Sequence, residues 1–139
     1  MGTRRLAAIL WVFVILLLCW TPRIWIEAPQ GPRFFLLEIP HLDKIVHLGI
    51  FTVFALLWMH ALPGGHKSIL FVVAFGLGLA VVTEIVQNVP IINRQGDFVD
   101  GTVDLLGVLL GIAAYKIQAR YLGNFLSPGL AVPRERELA

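Results

Sequence analysis

Charge is scarce in this chain. Asp, Glu, Lys and Arg together make up 14% of its 139 residues, while 58% are hydrophobic. That shortage excludes an ordinary soluble domain, in which about a quarter of the residues are charged. The mean hydropathy of +0.81 points the same way. Cysteine is reduced to Cys19, which excludes an internal disulfide and is expected to be a buried thiol. Basic clusters are also missing: Lys and Arg lie scattered at the ends of apolar runs, so the pI near 9.0 does not signify a nucleic-acid face. No internal repeat and no alternating strand pattern of an outer-membrane barrel is present.

What is present is four apolar runs, Leu6–Trp20, Ile45–Leu62, Ile69–Val89 and Phe98–Tyr115. Each approaches the roughly 20 residues that a helix needs to cross a bilayer. Helices are the expected form, because an isolated strand leaves its backbone unsatisfied in lipid. The fold expected is therefore an all-α integral membrane bundle of four transmembrane helices over residues 1–121. A polar, poorly ordered tail is expected over 122–139, where Pro128, Gly129, Pro133 and a short charged run collect. Arg4 and Arg5 before the first run resemble the start of a signal peptide, but Trp20-Thr21-Pro22-Arg23 offers no small-x-small cleavage pattern. The run is expected to stay attached as the first membrane helix.

Basic residues near span ends favour the cytoplasm. With the N-terminus inside, the inner segments hold Arg4, Arg5, Lys67, Lys116, Arg120, Arg134 and Arg136, and the outer ones hold Arg23, Arg33, Lys44 and Arg94. Seven against four favours both termini in the cytoplasm, which is the orientation expected. Trp20 and Trp25 then fit an outer aromatic belt, and Trp58 the inner end of the second span. The segment Phe34-Phe35-Leu36-Leu37 is either interfacial or packed over the helix ends.

The same orientation brings the polar residues of three spans to the outer side. Asp43 and His47 are four residues apart, Glu84 and Gln87 three, and Asp97, Asp100 and Asp104 step by three and four, so each set makes one helix stripe. Gly107 and Gly111 continue the last stripe as a small-xxx-small pair suited to close helix contact. Asp104 lies about 10 Å along its helix from Asp97, at 1.5 Å per residue. An ionised carboxylate at such depth costs about 2.5–3.5 kcal/mol unless it is paired, protonated or wetted. A polar pocket explains the placement. Its five carboxylates, Asp43, Glu84, Asp97, Asp100 and Asp104, outnumber Lys44 and Arg94. Protonation of Glu84, Asp104 or His47, or a bound cation, is expected to offset the excess. His41, Asp43 and His47 match no established metal-ligand spacing.

The order DKIVH at 43–47, EIVQ at 84–87, R-x-x-D-x-x-D from Arg94 to Asp100 and the glycine pair at 107 and 111 resembles the VanZ-like family. These are small bacterial membrane proteins whose named member is associated with resistance to the glycopeptide antibiotic teicoplanin. The resemblance covers residues 41–111 and implies a bacterial cytoplasmic membrane protein with an outward-facing site for a cell-envelope component. The family pattern usually has Asn where this chain has Asp104.

Two kinds of function fit these residues. The first is binding or shielding of a membrane lipid or lipid-linked envelope component by the pocket. The second is an enzyme acting on such a precursor, with Glu84, Asp100 and His47 as the candidate catalytic groups. Asp43, Lys44, Gln87, Arg94, Asp97 and Asp104 are the binding candidates, with Arg94 or Lys44 holding a phosphate or carboxylate. Against this stands a purely structural role in ion pairs and helix caps, which fits Asp97 and Lys44 equally well. A small transporter is the lesser alternative, since paired repeats and broken helices are lacking.

Overall fold

The computed structural model describes residues 2–21, 42–89 and 98–126, nearly all of them helical. The helices are α1 (Thr3–Trp20), α2 (Leu42–Ala61), α3 (His66–Gln87) and α4 (Phe98–Leu126). All four are long and apolar enough to cross a membrane. Each begins earlier than its apolar run except α4, because helical hydrogen bonding extends into polar flanks such as Thr3-Arg4-Arg5 and His66-Lys67 that apolarity alone does not mark. α4 also continues through Leu126, beyond the expected boundary at residue 121. The rest of the expected tail lies outside the described residues.

Helix ends follow from local chemistry. After Ala61 the chain meets Pro63, Gly64 and Gly65, and both glycines have positive φ, 86° and 84°. Residues with a Cβ rarely adopt that backbone, so this pair sets the reversal between α2 and α3. α3 ends before Pro90, with the Asn88 side-chain amide donating to the Glu84 carbonyl at 2.9 Å. The Thr21 hydroxyl similarly donates to the Leu17 carbonyl, at 2.6 Å, where α1 stops.

α2 is the central helix and packs most extensively on α4. The two run parallel, since Lys44 meets Asp100 and His47 meets Asp104 in the same order along both chains. Glycine makes the approach close. A Cβ on Gly107 would lie 2.7 Å from the Leu48 carbonyl oxygen, and one on Gly111 would lie 2.7 Å from Ala55 Cβ and still nearer the Thr52 carbonyl. The expected small-residue seam is therefore the α2–α4 contact. Gly76 of α3 seats against Val108 and Phe54 in the same way.

The interior divides along the bundle axis. Phe51, Phe54, Met59, Val72 and Val108 form the fully buried apolar middle. Phe54, Trp58, Phe71 and Phe75 add edge and tilted ring contacts between α2 and α3, among them Trp58–Phe75 at 5.2 Å. α1 is tied on by Trp11, whose indole N–H donates to the Ile50 carbonyl at 2.9 Å. Outward-facing residues such as Phe13, Leu17, Leu70, Leu106 and Ile117 are apolar and exposed, as suits a surface whose solvent is lipid.

Candidate functional site

The polar side chains meet where α1 and α3 end and α2 and α4 begin. His47 and Asp104 form the deepest pair, with Nδ1 2.9 Å from Asp104 Oδ1 and side-chain exposures of 7% and 0%. One turn nearer the helix starts, the Lys44 ammonium donates to Asp100 Oδ1 at 2.8 Å. Asp43 Oδ2 is 3.6 Å from the same ammonium but is itself half-exposed. The two main pairs form consecutive rungs between α2 and α4, brought within reach by the glycine seam beneath them. Parallel running explains the register: equal steps along both helices keep the partners opposed.

Glu84 of α3 lies within electrostatic range of His47 and is part-buried. Gln87 is buried but turns to α1, where its amide approaches the Cys19 carbonyl at 3.3 Å. Thr83, wholly buried one position before Glu84, donates its hydroxyl to the Ala80 carbonyl at 2.8 Å. Sequence reading missed Thr83, because a threonine bonded to its own helix carries no pattern beyond its neighbours.

Several expectations change. The α2 stripe expected from Asp43 and His47 is instead Lys44 and His47, because Asp43 points to the rim. Lys44 was expected as an anchor for an anionic ligand, but its ammonium is already engaged by Asp100 and Asp43. Gln87 fastens α1 instead of joining a wall with Glu84. Asp100 and Asp104 do share one face, as their spacing requires. Arg94, Asp97, Trp25, His41 and the segment 34–37 lie outside the described residues.

Chemically, the site is rich in acceptors. Asp104 Oδ2 is buried with no hydrogen-bond partner among the described residues. A buried unsatisfied carboxylate oxygen is costly and is the natural contact for a donor. His47, held through Nδ1, has only Nε2 left for chemistry, the arrangement by which a buried carboxylate orients an imidazole. Among the described residues, no group of three or more His, Cys, Asp or Glu side chains is arranged to hold a metal ion.

Helix length, apolar surface and an intramembrane polar cluster define the class: an all-helical, multi-pass membrane protein. Comparison with protein-family models, curated proteins and solved structures returns no match.

Proposed function

We propose that this chain is a VanZ-like integral protein of the bacterial cytoplasmic membrane, with both termini in the cytoplasm. In this reading its polar site faces outward and binds a cell-envelope component, a lipid or lipid-linked molecule, with a link to glycopeptide resistance of the teicoplanin type. The observation that carries it is the pair of rungs Lys44–Asp100 and His47–Asp104, which join the DKIVH segment to the aspartates of the fourth span. Buried ionisable groups in a membrane bundle are expensive and default to function. The distribution of charge supports the orientation: among the described residues, Lys44 alone of the Lys and Arg residues lies at the site end, and Arg4, Arg5, Lys67, Lys116 and Arg120 lie at the other.

The ligand chemistry follows from what the site lacks. With Lys44 engaged and Asp104 Oδ2 unsatisfied, the complement is a group that donates hydrogen bonds, such as an ammonium, hydroxyl or amide N–H. A second reading, an enzyme on a lipid-linked precursor, is favoured by one feature. Asp104 fixes the His47 ring so that Nε2 can serve as a general base.

The test is expression in a susceptible host and measurement of the teicoplanin inhibitory concentration, with protein abundance in membranes measured alongside. The unmodified chain is expected to raise resistance, and Glu84→Gln, Asp100→Asn and His47→Ala to abolish the rise after correction for the amount of each variant in the membrane. Resistance in all three variants equal to that of the unmodified chain would sink the pocket reading. Purified protein incubated with an extracted lipid fraction separates the two readings, because a new product forms only with turnover.

A further inference from the structure

A cavity lies at the opposite end of the bundle, far from the acidic site. It is an open groove of about 400 Å³ between the start of α1, the last turns of α2 and the later part of α4. Its floor is apolar, made by Ala7, Leu56 and Leu57, and its rim carries Arg4, His60 and Gln118. Leu56 and Leu57 precede the end of α2 by four or five residues, so the floor reaches about 6–8 Å into the span. The groove thus begins at the polar face of the bundle and runs down among the lipid-facing side chains.

Among the described residues, charge at this end has one sign. Arg4, Arg5, Lys67, Lys116 and Arg120 all lie here, whereas the described acidic residues, Asp43, Glu84, Asp100 and Asp104, all belong to the other end. Arg4 therefore has no carboxylate near it among the described residues. Its guanidinium matches a phosphate in shape and charge, and its aliphatic stem can lie along the apolar floor. His60 is fixed in place: Nδ1–H donates to the Leu56 carbonyl at 2.8 Å, and the ring meets Tyr115 edge-on at 5.0 Å. Those contacts leave Nε2 unused, on a residue that lines the groove together with Gln118.

From the groove and the one-signed charge around it we infer that this end of the bundle holds an anionic glycerophospholipid, with its phosphate on Arg4 and an acyl chain along Ala7, Leu56 and Leu57. A soluble anion would use the guanidinium but gain nothing from the floor, and a neutral lipid would use the floor but gain nothing from the charge. An anionic lipid uses both. The site is independent of the acidic pocket and needs no assumption about which leaflet it faces.

The test uses the full chain purified in a non-ionic detergent, titrated with phosphatidylglycerol or phosphatidylcholine of the same acyl chains and read by native mass spectrometry. Phosphatidylglycerol is expected to bind at one site, about five-fold or more tighter than phosphatidylcholine, the scale of one basic contact to an anionic lipid. Arg4→Gln should remove that preference. Arg5→Gln, which alters the neighbouring residue outside the groove, should keep it. Ala7→Phe, which fills the floor from an exposed position, should weaken both lipids. The inference is overturned by equal affinity of the unmodified chain for the two lipids, by equal loss of preference in the two arginine variants, or by unchanged binding in Ala7→Phe. The second of these results would assign the preference to diffuse charge instead of a built site.

Discussion

His47 Nδ1 and Asp104 Oδ1 lie 2.9 Å apart with both side chains enclosed, so each is the other's answer to burial. The pair crosses from α2 to α4 directly above the place where Gly107 lets the two backbones touch. Polar function and helix packing are thus one construction here: the seam sets the distance at which the rungs can form.

Removing one member of the pair should cost more than removing both. His47→Ala leaves the Asp104 carboxylate enclosed without its partner, and breaking a buried pair in this way costs about 3–5 kcal/mol. His47→Ala with Asp104→Ala leaves a void but no orphaned charge. Thermal unfolding in detergent should rank the double variant above His47→Ala. Asp104→Asn, which keeps the shape and an acceptor for Nδ1–H, should stay close to the unmodified chain.

The outer rung should split its two acids sharply. Asp100 is 10% exposed and bonded to Lys44, while Asp43 is 52% exposed and 3.6 Å away. Asp43→Asn should change stability by less than about 0.5 kcal/mol, as for most exposed sites. Asp100→Asn should lower the unfolding temperature measurably, because Lys44 loses its close partner. Equal effects in the two variants would show that the rung contributes nothing particular.

Gly107→Ala places a methyl group against the Leu48 carbonyl and forces α2 and α4 apart. Overpacking of this kind costs about 1–3 kcal/mol. Gly78→Ala, where a Cβ meets nothing within 4 Å, is the matched control and should be neutral or stabilising. The comparison is made by unfolding temperature. A loss of ligand binding or phenotype in Gly107→Ala alone would link the seam to the rungs above it.

Single cysteines placed at Asp43 and Lys67 should react with a membrane-impermeant thiol reagent from opposite sides of intact cells or inverted vesicles. The two positions lie at opposite ends of α2 and α3. Cys19, 1% exposed, should stay silent as a background. With both termini in the cytoplasm, Asp43→Cys labels in intact cells and Lys67→Cys only in inverted vesicles. Labelling of both from one side would overturn the four-span arrangement.

Much of this was legible in the chain itself. Four apolar runs require four helices, because backbone groups in lipid must be satisfied within the segment. Pro63-Gly64-Gly65 announces the turn between α2 and α3, and the Asp100/Asp104/Gly107/Gly111 spacing marks one face of α4. The stripe on α2 was less determined. At 3.6 residues per turn, Asp43 and Lys44 sit about 40° and 60° to either side of His47, so both fit one face. Only the docking of α4 selects Lys44 and turns Asp43 outward.

Gln87 and Arg4 show the same limit from different sides. Spacing put Gln87 with Glu84, but the end of α1 comes close enough to claim its amide through the Cys19 carbonyl. Nothing local to Arg4 marks it apart from Arg5, yet one lines a groove and the other does not.

The sequence by itself determined the number of helices, their apolar surfaces and the gathering of acidic residues at one end of the bundle. These depend on composition and on the period of one helix, which a chain carries along its length. The tertiary structure decided that α2 and α4 touch in parallel, that His47 meets Asp104 and Lys44 meets Asp100, and that a groove opens at the basic end. Those are relations between faces of separate helices, and the rotation that brings two faces together is set by packing across all of them at once.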